Sequence, residues 1–136
     1  MMKDLSKEVL NNLSLNIATT PVLLDEAEAI AKNWRDLGIT VNVQVISSIP
    51  ENFDAFLAIL DIPRDPDQYS LWHSSQEASN ISNYKNPRID KLLEDGRTVT
   101  NESERKKIYL DFQRFLVEDS PAAFLYHPIS YSVSRK

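Results

Sequence analysis

The chain contains no cysteine, which excludes disulfides, thiolate metal sites and cysteine nucleophiles. Its two histidines, His73 and His127, lie far apart, so no paired-imidazole ligand spacing such as His-x-x-x-His is present and no metal site is expected. Glycine is equally scarce, at Gly38 and Gly96 only. Neither a glycine-rich phosphate loop nor a Gly-x-Ser-x-Gly nucleophile elbow can be built from them. No apolar run approaches the roughly 18 to 20 residues of a membrane span. The opening stretch, MMKDLSKEVLNNLSLNIATT, lacks the apolar centre of an export signal. Positive charge is also short. Fifteen Lys+Arg against twenty Asp+Glu leave a net charge of −5, the wrong balance for nucleic-acid binding.

What remains is an ordinary globular composition, 42 % hydrophobic and 26 % charged over 136 residues, enough for one core. Residues 13–136 read as a single domain, with residues 1–12 as an N-terminal extension. The doubled Met followed at once by domain-like sequence points to a chain started inside something larger.

Leu13 to Thr19 alternates apolar and polar residues and reads as a strand. Thr20-Pro21 supplies an N-cap and a first-turn proline. Asp25, Glu26 and Glu28 place negative charge at the positive end of the following helix dipole. Ala27, Ile30, Ala31, Trp34 and Leu37 form its apolar stripe, and Gly38 stops it as a left-handed C′ residue. Ile39, Val41, Val43 and Val45 then share one face of a second strand, completing a parallel βαβ unit. Phe53 to Ile62 is apolar on both faces apart from its ends, the pattern of a central strand. Asn86-Pro87 opens a helix carrying Ile89, Leu92 and Leu93. Asn101 with Glu104 opens another, with Ile108, Phe112, Phe115 and Leu116 as its stripe and Ser120-Pro121 as its end. Ala122 to His127 and Ile129 to Val133 read as two short strands, and Phe124 as core. The sum is an α/β domain, a sheet of about five strands carrying three helices.

One stretch fits no period. From Asp61 to Tyr84, DIPRDPDQYSLWHSSQEASNISNY, aromatics stand among hydroxyls, amides and carboxylates. An irregular segment of that length inside a domain is either functional or disordered, and disordered linkers are poor in aromatics. Such a mixture lines polar ligand sites. Between Asp36 and Tyr84 there are seven Asp/Glu against one basic residue, Arg64, a local net of −6, which favours a ligand carrying an amine. Tyr69 and Trp72 are expected to supply apolar walls, and Asp65, Asp67 and Asp61 negative potential. His73, Ser74, Ser75, Asn83 and Tyr84 complete the set of expected ligand contacts. The plainer readings are that Trp72 packs the segment onto the core, that His73 bonds backbone, and that Asp65-Pro66-Asp67 is simply a turn. Asn80, Asn83 and Tyr84 serve equally well to tie the segment down. The cluster Glu104-Arg105-Lys106-Lys107 reads as a solvated helix face. His73-Ser74-Ser75 holds residue types of a hydrolase triad, but nothing in the sequence supplies its geometry. The chain reads as a binder, not an enzyme, and no cofactor is expected.

Four stretches in order carry a resemblance: AEAIAKNWRDLGITVNVQVI, FDAFLAILDIPRDPDQYSLWHSSQ, NISNYKNPRIDKLLEDGR and ERKKIYLDFQRFLVEDSPAAFLYHP. Together they resemble the C-terminal lobe of the family 5 extracellular solute-binding proteins, the oligopeptide-, dipeptide- and nickel-binding components of bacterial ABC importers. The resemblance implies one lobe of a type II periplasmic-binding-protein fold that traps peptide-like ligands in an interlobe cleft. It also implies a missing N-terminal lobe, an ABC permease partner and an extracytoplasmic parent protein. Two departures stand out. Many peptide binders in the family carry an Asp four residues before the proline matching Pro66, where this chain has Ile62, with Asp61 one position earlier. A one-residue slip in a strand reverses the face a side chain occupies. The linker from Val45 to Phe53 is also shorter than is usual in the family. The competing expectation is a stand-alone interaction module that keeps the lobe fold without transport.

Overall fold

The computed structural model describes residues 10, 12–49, 52–61, 64–127, 129 and 132–135. The chain divides into two compact units, Met1–Asp61 and Ile62–Lys136. Among the described residues it holds four helices and a three-stranded parallel sheet.

In the first unit, strand β1 (Ser14–Thr19) is followed by helix α1 (Leu24–Asp36) and strand β2 (Thr40–Val45), with β3 (Ala55–Leu57) last in sequence. The spatial order is β2-β1-β3. β1 pairs with β2 from Ser14↔Thr40 to Thr19↔Val45, and with β3 from Ile17↔Ala55 to Thr19↔Leu57. The alternation of β1 and the stripe of α1 meet in one core of Ile17, Ala27, Ala31, Ile39 and Val41, flanked by Trp34 and Val43. Burial fades along the β2 face: Ile39 and Val41 are buried, whereas Val45 is 46 % exposed.

Two local details of this unit differ from expectation. Thr20 makes no side-chain cap; Pro21–Leu23 form a 3-10 turn first, and α1 begins at Leu24. The strand expected over Phe53 to Ile62 is only three residues long, and Ile62 lies outside the described residues. Its partner ends at Thr19, opposite Leu57, so the backbone beyond has no ladder to join, and Ile59 and Leu60 are exposed. Gly38 takes φ 96° just after the helix, as a left-handed C′ residue should. Arg35 then folds back, donating from Nε and Nη2 to the Val41 carbonyl at 3.1 and 2.8 Å.

The second unit contains a one-turn helix α2 (Tyr69–Trp72), then α3 (Pro87–Thr98) and α4 (Glu102–Asp119). Asn86 caps α3 by accepting from the Arg88 amide, and Asn101 caps α4 by accepting from the Glu104 amide. Trp72, Ile89, Leu93, Tyr109, Phe112 and Leu116 form the core. The α4 stripe is thus centred on Tyr109, Phe112 and Leu116, while the expected Ile108 and Phe115 sit half-buried at its edges. Tyr109 lies against Gly96: a Cβ there would fall 2.8 Å from the ring and hydroxyl.

Past Ser120, which closes α4 at φ 52°, the expected strand at Ala122 to His127 does not form. Among the described residues of this unit there is no strand for it to pair with. Phe124, expected in the core, is 54 % exposed, with its ring tilted against Trp72 at a centroid distance of 6.3 Å. The second expected strand, Ile129 to Val133, falls partly outside the described residues.

Candidate functional site

From Asp65 to Tyr84, the irregular segment is held by polar contacts to the helices that follow it. Asp65 accepts from the Asp67 amide at 2.9 Å, and Asp67 accepts from the Tyr69 amide at 3.0 Å. These two Asx-type turns lead directly into α2. Both carboxylates are then held from outside. Asp65 takes a two-bond contact from Arg105, at 2.6 and 3.0 Å, a geometry suited to the planar guanidinium. Asp67 takes Nε of Arg97 at 2.8 Å. The Arg105 guanidinium also keeps the Asp65 carboxyl below the usual carboxylate range, with help from the Asp67 amide.

Tyr69 sits inside a stack. The Arg97 guanidinium lies 3.9 Å from its ring centroid and the His73 ring 4.0 Å away at 21°. Two planar groups cannot share one face at that distance, so both faces of Tyr69 are covered. His73 is buried; its Nδ1 contacts the Ser75 amide at 3.1 Å and the Ser75 hydroxyl at 2.8 Å, and its Nε2 lies 3.4 Å from Glu94. Trp72 is buried in the core, 7 % exposed. Ser74 donates from its amide and its hydroxyl to the two oxygens of Asp90, at 2.8 and 2.6 Å.

Asn80, also buried, stitches the next turn. It donates to the Tyr84 carbonyl at 2.7 Å and accepts from the Tyr84 amide at 3.2 Å and the Ser82 hydroxyl at 3.0 Å. Asn83 is exposed with φ 51°, a left-handed position that asparagine tolerates. The segment closes where the Tyr84 hydroxyl and Asn86 Nδ2 both donate to Asp119, at the end of α4. Burial first, and the Asp119 bond second, push the Tyr84 phenol up to about 12. The same Tyr84 bond, with Asn86, holds the Asp119 carboxyl low.

Of the expected contacts, therefore, Trp72 and His73 are interior, and Tyr69 and Tyr84 half-buried. Ser74 is half-buried on Asp90, while Ser75 and Asn83 face solvent. Asp65 and Asp67 are paired with arginines, which offsets the local negative charge. Asp61 is exposed at the end of the other unit. Arg105 is the residue sequence reasoning missed: expected on a solvated face, its side chain is only 26 % exposed. The available signal was charge complementarity, an acidic segment followed by helices rich in Arg and Lys. Among the described residues, no group of three or more His, Asp or Glu is gathered as a metal ion needs. Among the same residues, no helix is long and apolar enough to cross a membrane.

No protein-family model matches the chain. Among curated proteins it is 31 % identical over 115 residues to the oligopeptide-binding protein AppA of Bacillus subtilis, a match covering 76 % of this chain and 21 % of that protein. The chain is similar to a fragment of the family 5 solute-binding proteins. Solved structures agree. The AppA structure, in complex with a nonapeptide, matches 80 % of this chain at 26 % identity with a TM-score of 0.70, over 24 % of its own length. DppA from Helicobacter pylori, an ABC transporter-associated periplasmic binding protein in complex with the peptide STSA, gives 25 %, 0.72, 85 % of this chain and 27 % of its own. NikZ from Campylobacter jejuni, in complex with Ni(L-His), gives 27 %, 0.67, 80 % and 25 %. The chain spans about a fifth of the length of the curated relatives it matches. Its mixed α/β architecture matches a lobe of the periplasmic-binding-protein fold, with fewer strands than expected. These relatives are binding proteins rather than enzymes.

Proposed function

We propose that residues 13–136 act as the C-terminal, ligand-binding lobe of an ABC-importer substrate-binding protein that captures peptides without covalent chemistry. The observation that carries this reading is the joint match in sequence and fold to binding proteins solved with a nonapeptide and with a tetrapeptide. In the parent protein, a second lobe would complete the cleft, ligand would be captured outside the cytoplasm, and a membrane permease would receive it. The Asp65–Tyr84 segment is the ligand surface in this reading. Ser75 and Asn83 are its solvent-facing polar groups, suited to the amides of a peptide backbone. Trp72, His73, Tyr69 and Tyr84 would act on the ligand mainly by holding the segment's shape. Pairing of Asp65 with Arg105 and of Asp67 with Arg97 leaves little local charge to select a cationic ligand.

The test is a two-dimensional NMR titration of the chain with a mixture of short peptides. Shifts concentrated between Asp65 and Tyr84 are the expected result. A well-dispersed spectrum that does not move at any peptide concentration contradicts capture by this surface and favours the interaction-module reading.

A further inference from the structure

We propose that Arg105 is the positioning residue of the Asp65–Tyr84 surface, acting through Asp65 on a segment it adjoins only at one end. The inference rests on the reading of that segment as the ligand surface. Its structural basis is the use made of one guanidinium. Nη1 and Nη2 grip the two oxygens of Asp65, while Nε donates to the Gly96 carbonyl at 2.7 Å. That carbonyl is one of the last four of α3, which have no partner inside the helix. The same side chain lies over the Tyr109 ring, 5.1 Å from its centroid. A single residue in the first turns of α4 thus joins α4, the end of α3 and the start of the segment.

From Asp65 the constraint is passed on through consecutive bonds. The carboxylate that Arg105 holds also accepts from the Asp67 amide, and the Asp67 carboxylate accepts from the Tyr69 amide at the start of α2. Tyr69 in turn carries His73 against its ring, and His73 fixes the solvent-facing Ser75. If Asp65 is released, the Asx turn loses the orientation of its acceptor and every later link loses its reference. Arg97 grips Asp67 by a single bond and its side chain is 46 % exposed, so it cannot replace the two-bond clamp. A lysine at 105 would keep the charge but could not chelate both oxygens while bonding Gly96.

The experiment is residue-resolved amide hydrogen exchange on the full chain, carrying Arg105→Lys, Arg105→Ala, Asp65→Asn or the Arg105→Lys/Asp65→Asn pair. The expected result is exchange at least tenfold faster at the Asp67 and Tyr69 amides in each single variant. The double variant should be no faster than either single one, and the Phe112 and Leu116 amides of α4 should stay within twofold of the parent. Unchanged exchange at Asp67 and Tyr69 in Arg105→Lys overturns the proposal. So does a parallel acceleration throughout α4, which would make Arg105 a stabiliser of the whole unit. No ligand enters this experiment. A segment held by Arg105 in a chain that ignores peptides would keep the positioning role and remove only the peptide reading.

Discussion

The two units of this chain are ordered by different physics. In the first, the periods of the sequence and the core coincide: β1 alternates, α1 carries a stripe, and Ile17, Ala27, Ala31 and Val41 meet where those patterns intersect. In the second, the α3–α4 hairpin has the same kind of core, but the segment before it is fixed by carboxylates. Asp65, Asp67, Asp90 and Asp119 are each bound by donors from a different stretch of the unit. Apolar burial is indifferent to mild acid, whereas ion pairs and charge-assisted hydrogen bonds require ionised partners. The segment is anchored in the α3–α4 core by Trp72, and the rest of its shape is set by such bonds.

The largest expected effects strike what the units share. Ile17→Ala in the first and Leu93→Ala in the second each delete fully buried groups and should cost about 2 to 5 kcal/mol. Urea unfolding followed at Trp34 and at Trp72, one tryptophan in each unit, assigns each loss to its unit. Next is Gly96→Ala, where the added methyl meets Tyr109; overpacking there should cost about 1 to 3 kcal/mol in the second unit, read from the same Trp72 transition.

How much of this was legible follows the same division. The βαβ unit, both asparagine caps and the Gly38 stop could be read from periodicity and local chemistry, because each signal lies within a few residues. The segment was recognisable as unusual, but its partners were not. Arg105 is forty positions from Asp65, and Asp119 thirty-five from Tyr84. No local pattern marks one arginine of Glu104-Arg105-Lys106-Lys107 as the clamp. The apolar run after Pro121 misled for the opposite reason. Its residues favour a strand, but a strand exists only beside another, and Phe124 and Tyr126 stay exposed.

Smaller effects sharpen the contrast. Ser74→Ala removes the hydroxyl bond to Asp90 and should cost about 1 kcal/mol, visible as faster amide exchange around Ser74 with the first unit unaffected. Ser120→Gly relieves the left-handed backbone at the end of α4. It should stabilise the second unit by about 0.5 kcal/mol, a small part of the left-handed penalty for residues bearing a Cβ, seen as a slight rise in its urea midpoint.

Acid separates the two units most directly. Asp65 and Asp119 have carboxyls held below their ordinary value in the folded chain. The stability they contribute is therefore present above the unfolded carboxylate pKa of about 4 and is lost as pH falls through their folded values. The measurement is an acid titration of tryptophan emission in two single-tryptophan variants, Trp34→Phe and Trp72→Phe. Trp72 should report its change at a higher pH than Trp34, because the segment around it loosens while the apolar core of the first unit persists. Coincident transitions, or Trp34 changing first, would contradict a segment held by charge.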